Sequence, residues 1–151
     1  MWLRMLLISL LIGLACLAII PLSPYTSLVC PAWTIQIVDE AGSPVKGALV
    51  TQYWQDYTVE SGSHKQVAYA DENGYVSFPE RNVSASPLSR TWGVIWNTVS
   101  LGVHASYGAS AHLLAYGKVV DGKRLEGSAS YLVGQPLPER LVTRVYDSGC
   151  P

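Results

Sequence analysis

The sequence predicts a mainly β protein, a small sandwich of about seven short strands with one inserted helix, and three observations carry that expectation. Trp33, Ile35 and Ile37 alternate with Thr34 and Gln36, the period-2 pattern of a strand with one buried face. Asp71-Glu72-Asn73-Gly74 separates the β-prone runs 67–70 and 75–78, and an Asn-Gly step between such runs is a strong hairpin signal. Further runs of β-branched and aromatic residues recur down the chain, punctuated by Gly and Pro, as in a sandwich.

At the N-terminus, residues 5–22 are almost wholly apolar, interrupted only by Ser9, Gly13 and Pro21. As a helix this N-terminal hydrophobic segment would span about 27 Å, close to the ~30 Å hydrocarbon layer of a membrane. Arg4 is the only charge before Asp39, so the bias of positive charge toward the cytoplasm puts the domain outside, facing the periplasm or the cell exterior. Three readings compete. A cleaved signal peptide wants small residues at a defined cleavage site, and no A-x-A-like site follows Pro21. A lipoprotein signal would use Cys16, but Gly13 stands where Leu is usual and the chain stays apolar through residues 17–20. An uncleaved anchor needs no special feature and is preferred. The expected organisation is an anchor or signal segment over 1–24, a linker over 25–32 and one domain over 33–151.

Within that domain, Asp39-Glu40-Ala41-Gly42-Ser43-Pro44 ends the first strand: Gly42 accepts a positive φ, and Pro44 offers no N–H to a ladder. Residues 48–57 read as the next strand, from their Val, Thr, Tyr and Trp content. Ser86 before Pro87 is a helix entry. Leu88, Trp92, Ile95, Trp96 and Val99 then recur at helical spacing up to Gly102, predicting a helix over 87–101 whose Trp92 and Trp96 pack onto the sandwich. Residues 113–116, 128–133 and 140–146 read as strands.

The segment 37–50, of the pattern V-x-D-x-x-G-x-P-V-x-G-A-x-V, followed by the D-x-x-G-aromatic-x-x-F stretch from Asp71 to Phe78, resembles the carboxypeptidase regulatory-like family. The resemblance implies an immunoglobulin-like or transthyretin-like β-sandwich, of a kind found beside zinc carboxypeptidases and in bacterial envelope proteins. The His-Ala-Ser-aromatic-Gly run from His104 to Gly108 accompanies that segment in some members. The shared residues are structural, so no catalytic residue is implied by them.

Composition narrows function by exclusion. The 151-residue chain is 49% hydrophobic and 14% charged, enough for one real core and too apolar for disorder. With Arg4 set aside, its 9 remaining Lys and Arg face 11 Asp and Glu without a basic run. Nucleic acid, which requires a clustered cationic face, is not an expected partner.

Candidate chemistry is thin. His104 and His112 could belong to a small metal-dependent hydrolase, but they stand eight apart with no H-E-x-x-H or His-x-x-Glu spacing. Ser106 sits beside His104 without a G-x-S-x-G elbow, and the turn at Asp71 offers too few oxygens for calcium. The chain therefore reads as non-catalytic, with no cofactor. Tyr53 and Tyr57, four apart on one expected strand, are candidate ligand-contact aromatics of a carbohydrate-binding module. Cys30 and Cys150 bracket the domain and are expected to form a disulfide if the compartment is oxidising. The expected role is an interaction or structural module of the cell envelope, held to the membrane by its N-terminal segment and partnered by an unidentified envelope protein or glycan.

Overall fold

The alternation at Trp33 becomes a strand because its apolar residues find a second sheet to close against. The computed structural model describes residues 4–5, 8–13, 22–117 and 123–147. Among the described residues, ten strands pair in three sheets. They are β1 (Tyr25–Cys30), β2 (Trp33–Val38), β3 (Leu49–Asp56), β4 (His64–Tyr69), β5 (Tyr75–Phe78), β6 (Arg81–Ala85), β7 (Ala109–Tyr116), β8 (Lys123–Tyr131), β9 (Arg140–Val142) and β10 (Arg144–Asp147). A helix, α1 (Pro87–Leu101), and a 3-10 turn at Gly102–His104 lie between β6 and β7.

One layer is the five-stranded sheet β10-β8-β7-β3-β4, antiparallel throughout. Facing it are β5-β2-β9 and the pair β1-β6. Those two sheets are one ladder interrupted by proline. Cys30 pairs with Arg81 and Trp33 with Phe78, so the register continues across a gap holding Pro31 and Pro79, neither of which has an N–H to give. Trp33, Ile35 and Ile37 from this layer are fully buried against Val50, Leu113 and Ala115 of the other.

The expected turns hold by the same device twice. Asp39 Oδ1 accepts hydrogen bonds from the Ala41 and Ser43 amides at 3.0 and 2.8 Å, and Asp71 Oδ1 from the Asn73 and Tyr75 amides at 2.8 Å each. These are side-chain-closed turns. Gly74 has φ 78°, and a Cβ there would stand 2.6 Å from the Ile37 carbonyl.

Three expectations need correction. About seven strands become ten. Residues 25–30, expected as linker, form β1, with Val29 and Cys30 buried. Residues 140–146, expected as one strand, divide at Thr143. β9 pairs in parallel with β2, and β10 crosses to pair with β8 in the opposite layer. Thr143 anchors the crossing, donating to the Val38 carbonyl from its amide at 2.8 Å and from Oγ1 at 3.0 Å. Of the segment expected to cross a membrane, only part is described. Residues 8–13 are helical and exposed, but no helix among the described residues is long and apolar enough to cross a membrane. Most of the remainder of segment 5–22, Cys16 included, lies outside the described residues, and so does Cys150. Cys30 is buried and has no disulfide partner among the described residues.

Candidate functional site: the groove between the helix and the β3–β4 turn

The helix forms where the sequence predicts it. Ser86 is extended, its hydroxyl accepts the Ser89 amide at 3.2 Å, Pro87 opens the first turn, and the Gly102 amide closes the last on the Thr98 carbonyl. Its orientation is the reverse of expectation. None of its residues is buried; Trp92 is 63%, Trp96 60% and Val99 76% exposed.

What holds α1 is its small and polar face, at the i, i+3, i+7 spacing of Arg90, Gly93 and Asn97. Arg90 Nη1 donates to Asp56 Oδ2 at 3.2 Å and Nη2 to Ser27 Oγ at 2.8 Å, while the guanidinium lies 4.5 Å from the Tyr25 ring centre. Gly93 meets the Thr58 carbonyl so closely that any Cβ would overlap it. Asn97 Nδ2 donates to the Tyr57 carbonyl at 2.6 Å, and the Thr98 and Tyr107 hydroxyls lie 2.7 Å apart.

The facing turn is built around Asp56. Its Oδ1 accepts the Thr58 amide at 2.9 Å, its own amide donates to Glu60 Oε2 at 2.7 Å, and its carbonyl accepts the Val59 and Glu60 amides. Between turn and helix runs an open groove of about 440 Å³, lined by Tyr57, Glu60, Ser61, Ser89, Trp92, Trp96 and Asn97 among others. Three aromatic rings beside carboxylate, hydroxyl and amide groups can stack on a flat apolar ligand face and hydrogen-bond to its edge.

The candidate residues scatter. Tyr57 lines this groove, but Tyr53 does not. Tyr53 is half-buried and stacks on His112, its cross-strand partner, with ring centres 5.0 Å apart and planes at 13°, so the two candidate tyrosines do not share one groove. His104 is exposed in the 3-10 turn. Neither histidine lines this groove, and among the described residues no three His, Cys, Asp or Glu side chains come together to hold a metal.

Two features went unseen in the sequence. At one end of the core, Gln52 is fully buried; its Oε1 accepts from Arg81 Nε at 3.1 Å and its Nε2 donates to Cys30 Sγ at 3.8 Å. Arg81 also donates to Gln66 Oε1 and lies 4.0 Å over the Trp54 ring. Trp54 stacks on His64, whose Nε2 is 2.7 Å from Glu60 Oε1. The cluster ties core to groove, and burial pushes the Cys30 thiol up to about 11 against the opposing Arg81 charge, so that it holds its proton at neutral pH. Burial also lowers the Arg81 guanidinium, against the opposing influence of Cys30. The second feature is a cavity of about 560 Å³ where the chain changes layers, lined by Tyr116, Glu126, Arg140 and Arg144 among others. The inward alternation of Gln52 and Trp54 with Val50 was readable, but their polar partners come from distant strands.

No protein-family model and no curated protein matches the chain. Among solved structures, the 3-chlorocatechol 1,2-dioxygenase from Rhodococcus opacus 1CP is similar at 14% identity and a TM-score of 0.46. That likeness covers 83% of this chain and 61% of the enzyme; at such a TM-score it carries no argument about fold or chemistry.

Proposed function

We propose that the chain is a non-catalytic, membrane-tethered extracytoplasmic module with an interaction or structural role in the cell envelope, its body an immunoglobulin-like or transthyretin-like β-sandwich of the carboxypeptidase regulatory-like type. The observation that carries the interaction role is α1: a 15-residue helix with no buried residue, two of its tryptophans facing solvent beside Tyr57. Apolar surface gathered in this way marks a place where something binds. The family reading is supported by the two Asp-closed turns, which give the motif residues Asp39, Gly42, Asp71 and Gly74 structural work.

A second reading, a carbohydrate-binding module, is favoured by the groove itself, where aromatic faces adjoin Glu60, Ser61 and Asn97. No comparable observation favours a hydrolase centred on His104 and His112. One experiment separates the two. A photo-crosslinking amino acid at Ser61 of the full chain in envelope membranes captures a defined protein if the groove is a protein site, and Tyr57→Ala removes the adduct. Retention of the detergent-solubilised chain on insoluble cell-wall polysaccharide, with release by soluble sugar, makes it a glycan site instead. Neither adduct nor retention would sink both readings. Because β1 is part of the core, the tested chain must keep residues 25–30.

A further inference from the structure

We propose that the outward face of α1 rests on the surface of the bilayer that the apolar N-terminal segment enters. The inference depends on the tethering reading above and names the bilayer, in place of a separate envelope protein or glycan, as what covers Trp92 and Trp96; this second membrane contact sets the orientation of the domain. Three observations carry it.

The first is chemical. Trp92, Ile95, Trp96 and Val99 are 63%, 49%, 60% and 76% exposed along one side of the helix, and Val103 just beyond is 97% exposed. Between Ser86 and Gly108 the only Lys, Arg, Asp or Glu is Arg90, and its guanidinium is turned inward to Asp56 and Ser27. The outward face thus has no charge to desolvate, and tryptophan is the side chain favoured at headgroup depth.

The second is the path of the chain. The apolar run ends at Leu22, three residues before Tyr25 opens β1. Tyr25 pairs with Ala85, next to the helix cap Ser86, and Arg90 binds both Ser27 and the Tyr25 ring. Three residues of extended chain reach on the order of 10 Å. A bilayer that takes up the segment therefore comes within that reach of the β1 end to which the start of α1 is pinned.

The third is energetic. A free interfacial helix needs Lys or Arg attracted to anionic lipid, and α1 offers none outward. A tethered helix does not, because a short linker holds it at a high effective concentration at the surface, where weak apolar partitioning suffices. Binding is therefore expected to be indifferent to lipid charge and to salt.

The test uses the full chain in phosphatidylcholine vesicles carrying doxyl-labelled lipid. Trp2 is removed by Trp2→Phe, so that emission from the tether does not contribute, and vesicle flotation after an alkaline wash reports tethering separately. The expected result is quenching strongest with a shallow label, unchanged by phosphatidylglycerol or 0.5 M salt (a test condition of about three to four times physiological strength), with most of the quenched signal lost in Trp92→Phe/Trp96→Phe. Helical circular dichroism should be retained in that variant. A chain that floats while Trp92 and Trp96 escape lipid quenching overturns the inference and leaves the tether standing. Tryptophans shielded from aqueous iodide yet unquenched by lipid overturn it in favour of a second copy or the N-terminal segment as the cover. A chain that fails to float overturns the tether and the inference together.

Discussion

Arg90 Nη1 lies 3.2 Å from Asp56 Oδ2, with the two side chains only 15% and 5% exposed, and this pair joins the helix to the end of β3. Removing either member leaves the other charge withdrawn from water without its partner. Arg90→Ala or Asp56→Ala is expected to cost about 3 kcal/mol in urea unfolding, and the double variant far less than the sum. Additive single effects under about 1 kcal/mol would show that the pair is not a structural joint.

At Gly93, two physical effects have opposite signs. In an exposed helix Gly→Ala stabilises by about 1 kcal/mol through propensity alone. Here a methyl group would overlap the Thr58 carbonyl, so Gly93→Ala is expected to lower the melting temperature and to loosen α1 from the turn. A raised melting temperature would mean that the helix does not dock as described.

Gly127 faces the crossing between layers. A Cβ there would overlap Leu141 Cδ2 and stand 2.8 Å from the Val142 carbonyl, so Gly127→Ala is expected to destabilise by about 1–3 kcal/mol, as overpacking does. Part of this should return in Gly127→Ala/Leu141→Ala relative to Leu141→Ala alone, measured by urea unfolding. Full additivity would place the strain in the backbone rather than in the leucine.

Cys30 makes stability depend on alkaline pH in the reduced chain. Its folded value of about 11 lies above the ordinary 9.0, so the folded state keeps a proton that the unfolded chain loses. The stability contributed below pH 9 is therefore lost as pH rises through 9 toward 11, by about 2–3 kcal/mol. Urea midpoints at pH 8 and 11 should fall further apart in the native sequence than in Cys30→Ala; equal falls would refute the assignment.

The expected Cys30–Cys150 bridge is tested by titrating thiols on the unfolded, unreduced chain. Of its three cysteines, one reactive thiol would support the bridge and three would exclude it.

Where a residue's structure depends on its immediate neighbours, it was legible. The Asp39 and Asp71 turns, the β2 and β5 strands and the limits of α1 all rest on alternation, caps and φ preferences within a few residues. β1 was hidden because Pro21, Pro24 and Pro31 give it the look of a linker, and its pairing with β6 is visible only once the β2–β5 ladder is seen to continue past proline. At the candidate site the sequence points to Tyr57, but helical spacing alone places its groove companions Trp92 and Trp96 against the sandwich. Periodicity shows that a helix has two faces. It does not show which face meets the protein.

By itself, then, the sequence determined a mainly β chain, its hairpin turns, one capped helix and an apolar N-terminal segment, because short-range sterics and hydrogen bonding set those. Only the tertiary structure decided that residues 140–146 change layers at Thr143, that Gln52, Arg81, Trp54 and His64 form one cluster, and that α1 turns Arg90, Gly93 and Asn97 inward and its tryptophans out. Each of those outcomes depends on which distant strands already fill the core, and that competition for buried surface is settled between segments far apart in the chain.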